Sequence, residues 1–286
     1  MKTLRIVALT ALVLLGGCST IGSLFGSGDS AETDKVDPST LPVEELYNRG
    51  ADAMAAGKYS VAVRQFDYVE QYYPYSTWAA NAQLMQGYAQ YLQSKYTDAI
   101  ATLDRFIQLH PSHHDTAYAY YLRALCYYEQ IADIQRDQKS TQDALLALQE
   151  VVNRYPNSAY ARDAKLKIDL AHDHLAGKEM EIGRWYERQN LYVAAIGRFQ
   201  RVVDEFQTTN HVPEALHRLT EIYLLLGLPD QARRSAAMLG YNYPGSPWYE
   251  DSYNQLIADG AAQGVPVHGA TPSSPGFFAR TFGSIF

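Results

Sequence analysis

Residues 50–74 read GADAMAAGKYSVAVRQFDYVEQYYP, and this stretch sets the pattern that decides the fold. A small residue, Gly50, is followed after twelve positions by a second, Ala62, and after twelve more by Pro74. Small residues let two helices approach closely, and proline ends a helix because its nitrogen has no hydrogen for the backbone ladder. The stretch therefore predicts two packed helices, with a turn at Gly57-Lys58-Tyr59.

The same spacing recurs along the chain. A small residue precedes a proline by twelve positions in three further segments, Ala99 to Pro111, Ala144 to Pro156 and Ala232 to Pro244. A fifth segment has Gly183 and Ala195 at this separation, with Gln207 where proline is expected. Each pair needs a large apolar side chain to fill its contact, and Phe66, Leu103, Leu148 and Phe199 stand at the matching position. The pattern resembles the tetratricopeptide repeat and predicts an all-α tetratricopeptide-repeat superhelix of about five helix-pair repeats.

Two segments depart from this period. Repeat three contains eight extra residues, which place the polar run Asp133 to Ser140 at the end of its first helix. Between Pro156 and repeat four, the stretch Tyr160 to Leu175 has helical character. We therefore expect one extra inserted helix that runs on into the first helix of repeat four.

The N-terminal residues predict export. Lys2 and Arg5 precede an apolar run, Ile6 to Leu15, of only ten residues. As a helix this run spans about 15 Å, too short for a hydrocarbon core of about 30 Å, so it is typical of a signal peptide. The run ends in Leu15-Gly16-Gly17-Cys18, which resembles the bacterial lipobox. The resemblance implies that Cys18 is acylated, and Ser19 after it resembles an outer-membrane address.

These features divide the chain into five predicted segments. They are a signal peptide at 1–17, a lipidated flexible tether at 18–40, N-terminal repeats one to three at 41–156, C-terminal repeats four and five with the inserted helix at 157–260, and a flexible Phe-rich tail at 261–286. In the tail, Phe278, Phe282, Ile285 and Phe286 have helical spacing, which suggests that the tail folds onto a partner or membrane surface. The alternative is a solvated tail.

Composition and motifs exclude several function classes. The net charge of −7 argues against a general nucleic-acid binder, which needs a basic surface. No nucleotide-binding, nucleophile or zinc-protease motif occurs, so we predict no enzyme and no cofactor. His110, His113, His114 and Asp115 come nearest to a metal site, but their place after a helix end favours loop residues that cap the next helix. We therefore predict no metal centre, and we expect Cys126 to be a buried, unreactive thiol.

The chain contains 23 tyrosines, and their repeat positions predict a binding groove. Positions 2, 5, 9 and 12 of each first helix line the concave side of such repeats. Counted from Val43, Ala80 and Ala117, these positions hold Tyr47, Asn81, Tyr88, Tyr91, Tyr118, Tyr121 and Tyr128. Such a groove suits extended segments that end in an aromatic residue. The alternative is that these rings only pack neighbouring helices.

Four segments carry a closer resemblance. They are Tyr73-Pro74-Tyr75-Ser76, Tyr155-Pro156-Asn157-Ser158-Ala159-Tyr160-Ala161, the stretch from Trp185-Tyr186 through Tyr192-Val193-Ala194-Ala195-Ile196-Gly197-Arg198-Phe199, and Thr209 to Leu219, which reads TNHVPEALHRL. With the lipobox, the chain resembles the BamD family, lipoproteins of the β-barrel assembly complex, from about residue 4 to 245. The resemblance implies a protein on the periplasmic face of the outer membrane, which binds BamA and unfolded outer-membrane proteins.

The resemblance also implies partner-binding residues in the C-terminal repeats, namely Arg184, Arg188 and Arg198. Arg198 stands about 100° from Phe199 around the helix, at the margin of its apolar stripe, and its guanidinium suits a carboxylate on another chain. The alternative is an intrachain pair, for example with a carboxylate on the first helix of repeat five. A rival function is a periplasmic tetratricopeptide scaffold of the Tol-Pal type, which the absence of a heptad run before residue 43 disfavours.

Overall fold

The computed structural model describes residues 37–133 and 138–260. The chain divides into two compact units, Met1–Pro42 and Val43–Phe286. In the first unit, the end of the predicted tether forms a short 3-10 helix, Pro38–Thr40, which Asp37 caps by accepting the Ser39 N–H at 3.0 Å. The predictions for the signal peptide at 1–17, for Cys18 and for the tail at 261–286 lie outside the described residues.

The described part of the second unit contains eleven α-helices and no strand, as predicted. They are α1 (Val43–Ala55), α2 (Tyr59–Tyr72), α3 (Thr77–Leu92), α4 (Tyr96–Leu109), α5 (Thr116–Tyr128), α6 (Lys139–Arg154), α7 (Ala159–Arg188), α8 (Tyr192–Glu205), α9 (Val212–Leu225), α10 (Pro229–Asn242) and α11 (Pro247–Ala258). Among these helices, none combines the length and apolarity that a bilayer crossing requires. The all-α prediction is confirmed.

The helices pack as five consecutive pairs. The first helices of the pairs, here called A helices, are α1, α3, α5, the second half of α7, and α9, and each packs on the helix that follows it. The A helices also contact one another, so that α1 lies on α3, α3 on α5 and α5 on α7. The A helices therefore form one continuous inner layer.

Close helix contact at the glycines is confirmed. A Cβ atom added at Gly50 would lie 2.6 Å from Phe66 Cε1, and one added at Gly183 would lie 2.5 Å from Phe199 Cε1. At Gly87 the facing atom is Cδ2 of Leu103, at 2.9 Å. These distances are below van der Waals contact, so a side chain at any of the three glycines would push the helix pair apart.

A residue in the left-handed region ends each A helix for which the structure describes the turn. Gly57 and Gly227 have φ of 71° and 67°, and in the two other pairs Ser94 and Asn190 take φ of 58° and 59°. The backbone N–H of the following residue then bonds back by five residues, as Lys58 does to the Ala53 carbonyl at 2.8 Å. Asparagine tolerates this region and serine does so less readily, which is why sequence patterns single out only the two glycines.

The second helices end where the prolines predict, and each stops two residues before its proline. Helix α8 ends in the same way at Glu205 although Gln207 replaces the proline. Phe206 has φ −125° and ψ 43° and is buried, and its carbonyl accepts the Thr209 hydroxyl at 2.9 Å. A buried ring and a side-chain hydrogen bond thus end this helix without proline.

Helix α7 is continuous over 30 residues, which confirms that the inserted helix runs into repeat four. Its first half packs in a core with α5 and α6, where Ala164 and Ile168 are buried. Its second half packs in the core of the last two repeats, where Ala176 and Met180 are fully buried. One helix therefore belongs to both cores.

Helix α11 was not predicted. Pro247 starts it, and its Tyr249 is fully buried. A Cβ atom at Gly240 of α10 would lie 2.6 Å from Cζ of Tyr249, so this contact repeats the glycine–ring packing of the earlier pairs. Helix α11 therefore covers the end of the stack in place of a sixth repeat.

The glycine contacts predict a contrast between two substitutions in repeat four. Gly183→Ala should lower the free energy of unfolding by about 1–3 kcal/mol, because the new methyl group collides with Phe199. Gly197→Ala is the control, because nothing lies within 4 Å of its Cβ position, and it should raise stability by about 0.5–1 kcal/mol. Urea denaturation followed by circular dichroism measures both. Equal effects would contradict close packing at Gly183.

Candidate protein-binding surfaces

Four predicted tyrosines on α3 and α5 and one further tyrosine on the first half of α7 form a surface, here called the aromatic groove: Tyr88, Tyr91, Tyr118, Tyr121 and Tyr160. Tyr91 lies within electrostatic range of Tyr118 and Tyr121, and its own ring packs on Tyr96 at 5.9 Å. The Tyr118 ring centroid lies 6.5 Å from that of Tyr88 and 5.5 Å from that of Tyr160. Tyr121 stacks on Tyr160 at 5.3 Å. All five side chains are half-buried, so each ring packs on its neighbours and keeps a face or edge in solvent.

The hydroxyl groups of this surface bond to carboxylates. Tyr91 donates to Glu129 Oε1 at 3.3 Å, and Tyr121 donates to Asp163 Oδ2 in a short contact. Burial, reinforced by Glu129, raises the pKa of Tyr91 to about 12. Burial also raises the pKa of Tyr118 and of Tyr121. Tyr91, Tyr118 and Tyr121 therefore stay neutral over the physiological pH range, and carboxylates hold the hydroxyls of Tyr91 and Tyr121 in place.

The other three predicted groove residues lie beside these five. Tyr47 packs on Trp78, with ring centroids at 4.8 Å, and on Phe66 at 5.5 Å. Lys167 Nζ lies 4.8 Å from the centroid of the Tyr128 ring. Asn81 lies half-buried on α3.

Trp78 and Tyr160 were not predicted as groove residues. Trp78 precedes the residue from which the repeat positions were counted. Tyr160 belongs to the inserted helix, to which no count was applied, although it occupies position 2 of α7. Counting from Ala159, the first residue of α7, would have placed Tyr160 at position 2 and so found it.

Arg198 pairs within the chain. Its Nη1 lies 2.9 Å from Glu179 Oε2, and Nη1 of Arg201 lies 3.0 Å from Glu179 Oε1. Glu179 is buried on α7, the first helix of repeat four, whereas the expected alternative partner lay on repeat five. Two guanidinium groups therefore share one buried carboxylate, and about a third of the Arg198 side chain remains exposed.

Arg184 and Arg188 differ in their contacts. Arg184 Nη1 lies 3.0 Å from Glu214 Oε1 and 3.1 Å from Glu214 Oε2, which joins α7 to α9. Arg188, at the last position of α7, is exposed. The structure thus gives Arg184 a role inside the fold and leaves Arg188 open to solvent.

Near Arg188 in the sequence, large apolar side chains are exposed at the turn between α7 and α8. Trp185 is 49% exposed, Leu191 50% and Val193 81%. Together with Arg188, these residues are here called the turn patch. Tryptophan and arginine dominate the energetics of protein interfaces, so the composition of the patch favours protein binding.

In repeats four and five the inner layer carries charged side chains, whereas in repeats one to three it carries aromatic ones. Arg218 of α9 contacts Glu221 at 3.1 Å, Glu214 at 3.7 Å and Glu187 at 3.9 Å. Burial raises the pKa of the Glu187 carboxyl. The two halves of the stack therefore present surfaces of different chemistry.

The loop between α4 and α5 holds the predicted histidines. Thr116 closes it by donating its hydroxyl to the carbonyls of His110 and His113, at 3.0 and 2.7 Å. The Asp115 carboxylate does not cap α5, contrary to the expectation, but lies 2.9 Å from His114 Nε2. Helix capping therefore does not account for this side chain. Cys126 is fully buried, and burial raises its thiol pKa to about 12, in keeping with an unreactive group.

The sequence that forms this helix-pair array matches a known group of proteins. The YfiO family, described as outer membrane lipoprotein, matches residues 39–239. The outer membrane protein assembly factor BamD of Caulobacter vibrioides is 47% identical, over 92% of this chain and 86% of the relative. This chain belongs to the BamD family.

More distant members of the BamD family match over similar lengths. BamD of Rickettsia prowazekii is 43% identical over 84% of this chain and 95% of the relative, and BamD of a Neisseria meningitidis strain is 32% identical over 82% and 89%. A crystal structure of a thermophilic TPR protein from Thermus thermophilus is 18% identical with a TM-score of 0.36, covering 76% of this chain and 100% of that one. The repeat assignment rests on the five consecutive helix pairs of the described residues.

The buried His217 predicts a pH dependence of stability. Its Nδ1 lies 2.9 Å from Ser252 Oγ, and its ring packs on Trp248 at 5.1 Å. Burial lowers the pKa of His217 below 6.5, a shift that Arg218 reinforces and Glu221 opposes. Because the unfolded chain binds the proton first, the contribution of His217 is complete above pH 6.5 and is lost as pH falls below it.

We therefore expect the free energy of unfolding of the wild type to fall more steeply between pH 7.5 and 5 than that of His217→Gln. His114→Gln is the control, since that imidazole is 74% exposed. Urea denaturation at several pH values measures the three slopes. Parallel slopes for the wild type and His217→Gln would rule out the buried neutral histidine.

Proposed function

We propose that this chain is an outer-membrane protein assembly factor that works by binding other proteins and catalyses no reaction. Membership of the BamD family supports this function, and does not favour a Tol-Pal type scaffold. In this proposal the chain is held at the periplasmic face of the outer membrane by lipid on Cys18. It binds BamA, further assembly-complex subunits and unfolded outer-membrane proteins, and it binds no nucleic acid.

The observation that carries substrate binding is the aromatic groove. Four of its rings follow one another across α3, α5 and α7, from Tyr88 through Tyr118 and Tyr160 to Tyr121, and the hydroxyls of Tyr91 and Tyr121 are already held by carboxylates. Preordered aromatic surface binds an incoming ring with little loss of side-chain entropy. We propose that the groove, together with Tyr47, Asn81 and Tyr128 at its edges, takes an extended segment that ends in an aromatic residue, such as the last strand of a barrel protein.

The observation that carries BamA binding is the turn patch. Exposed Trp185, Leu191 and Val193 offer apolar contact area, and Arg188 offers a charge beside it. Arg198 lies on the next helix with its guanidinium partly exposed and fixed by Glu179. We propose that Arg188 and Arg198 bind carboxylates of BamA, and that Arg184 supports the same face through its pair with Glu214.

Substitution of two rings tests the groove. Tyr88→Ala combined with Tyr121→Ala should weaken the binding of a peptide copy of a barrel protein's last strand roughly tenfold or more, because each aromatic contact contributes about 0.5–1.5 kcal/mol. Tyr75→Ala combined with Tyr241→Ala is the matched control, since both rings are exposed and lie outside the groove. Fluorescence titration measures affinity, and circular dichroism confirms the fold. Unchanged affinity in the groove variant would refute groove binding.

Removal of one guanidinium tests the BamA contact. Arg198→Ala leaves Arg201 on Glu179, so the buried carboxylate keeps a partner and the fold is retained. The loss of an interface pair costs about 2–5 kcal/mol of binding, so co-purification of BamA should fall sharply. Arg201→Ala is the control, because it leaves Arg198 on the same carboxylate. If BamA is recovered equally with both variants, Arg198 serves the fold alone.

Replacement of Cys18 tests the anchor. Cys18→Ala should release the chain from membranes, because the apolar run before it, residues 6–15, is too short to span a bilayer. Fractionation of cells depleted of BamA measures this, since BamA itself could retain the variant. A membrane-bound variant in those cells would show that another segment, such as the Phe-rich tail, acts as the anchor.

A further inference from the structure

Three side chains converge on one point in the loop between α4 and α5. Asp115 Oδ2 lies 2.9 Å from Nε2 of His114 and 4.0 Å from Nδ1 of His113. One ligand atom from each of these three residues can be chosen so that all lie within 4.8 Å of one another. The two imidazole rings are tilted by 33°, with centroids 4.2 Å apart.

The backbone of this loop is held mainly by other groups, and of these three side chains His113 alone bonds it, through the Asp115 N–H at 3.2 Å. The Thr116 hydroxyl is buried and bonds two carbonyls, and the N–H groups of His113 and Thr116 bond the carbonyls of His110 and His113 at 3.1 Å each. Phe106 packs edge-on against His113 at 5.4 Å, which orients that ring. The loop backbone therefore does not require the three side chains to converge on one point.

We infer that His113, His114 and Asp115 form a binding site for a divalent transition-metal ion, with Zn²⁺ the best match. Imidazole and carboxylate are ligands that zinc prefers, and three protein ligands leave a fourth position for water or a ligand group. At bond lengths of about 2.0–2.1 Å, neighbouring tetrahedral ligand atoms lie roughly 3.3 Å apart. The two measured separations from Asp115 Oδ2, 2.9 and 4.0 Å, bracket that distance.

The ion replaces two contacts of these side chains. Nδ1 of His113 accepts the Asp115 N–H at 3.2 Å, so this nitrogen carries a lone pair that can bind metal once that long hydrogen bond opens. The other contact is that between His114 Nε2 and Asp115 Oδ2 at 2.9 Å. His114 is 74% exposed and can rotate to share the ion with Asp115.

The site lies close to the binding surface described above. The charge of Asp115 contributes to the raised pKa of Tyr47 and of Tyr118, so its carboxylate is within electrostatic range of both rings. A bound divalent ion changes the net charge at this point from negative to positive.

Zinc binding by the purified full chain, with no affinity tag, tests the site. Titration calorimetry with ZnCl₂ in a non-chelating buffer should give one saturable ion per chain, and Co²⁺ should give the visible absorption of a tetrahedral complex. His113→Ala and His114→Ala should each weaken Zn²⁺ binding roughly tenfold or more. His211→Ala is the matched control, since His211 Nε2 lies 3.8 Å from Asp173 Oδ2 without a third ligand.

Retention of the helical circular-dichroism spectrum in all variants shows that any loss is local, because the Thr116 hydroxyl bonds hold the loop in each of them. Two results would overturn the inference. One is the absence of saturable Zn²⁺ binding by the wild-type chain. The other is an equal affinity in His114→Ala, His211→Ala and the wild type, which would place the ion elsewhere.

Discussion

The contact between a glycine and a large side chain one helix away sets the geometry on which the rest of this structure depends. Gly50, Gly87 and Gly183 each face a ring or a branched side chain at a distance that excludes a Cβ atom. This contact fixes the separation of the two helices in a pair, and the pairs then place their A helices side by side. The aromatic groove exists only because α3, α5 and α7 are adjacent in that layer.

Much of the fold could be predicted from the sequence, because its signals are local and repeated. The twelve-residue spacing identified the helix pairs, and the helical character of Tyr160 to Leu175 predicted a helix that runs on into repeat four. What escaped prediction depends on tertiary contact. Ser94 and Asn190 adopt left-handed turns without glycine, and Tyr249 acquires its role by packing against Gly240 in place of a sixth repeat.

The sequence could predict the surfaces only to the extent that a residue's position on a helix determines the side to which its side chain points. Repeat counting placed Tyr88, Tyr118 and Tyr121 on one side, and the structure brings their rings into one row. Counting could not say which long side chain reaches which partner. Arg198 finds Glu179, nineteen positions earlier, because the two helices of its own repeat are held close by Gly183. The partner of a flexible side chain depends on helix separation, which a sequence pattern does not specify.

Helix α7 has a consequence for how the two surfaces act together. Arrays of repeats ordinarily loosen one unit at a time, because each unit contacts only its neighbours. Tyr160 of the groove and Trp185 of the turn patch lie on one uninterrupted helix, 25 positions apart, a rise of about 37 Å. Helix α7 thus sets the distance between the aromatic groove and the turn patch. In the proposed function, a partner bound at one end and a chain segment bound at the other are kept that distance apart by a single helix.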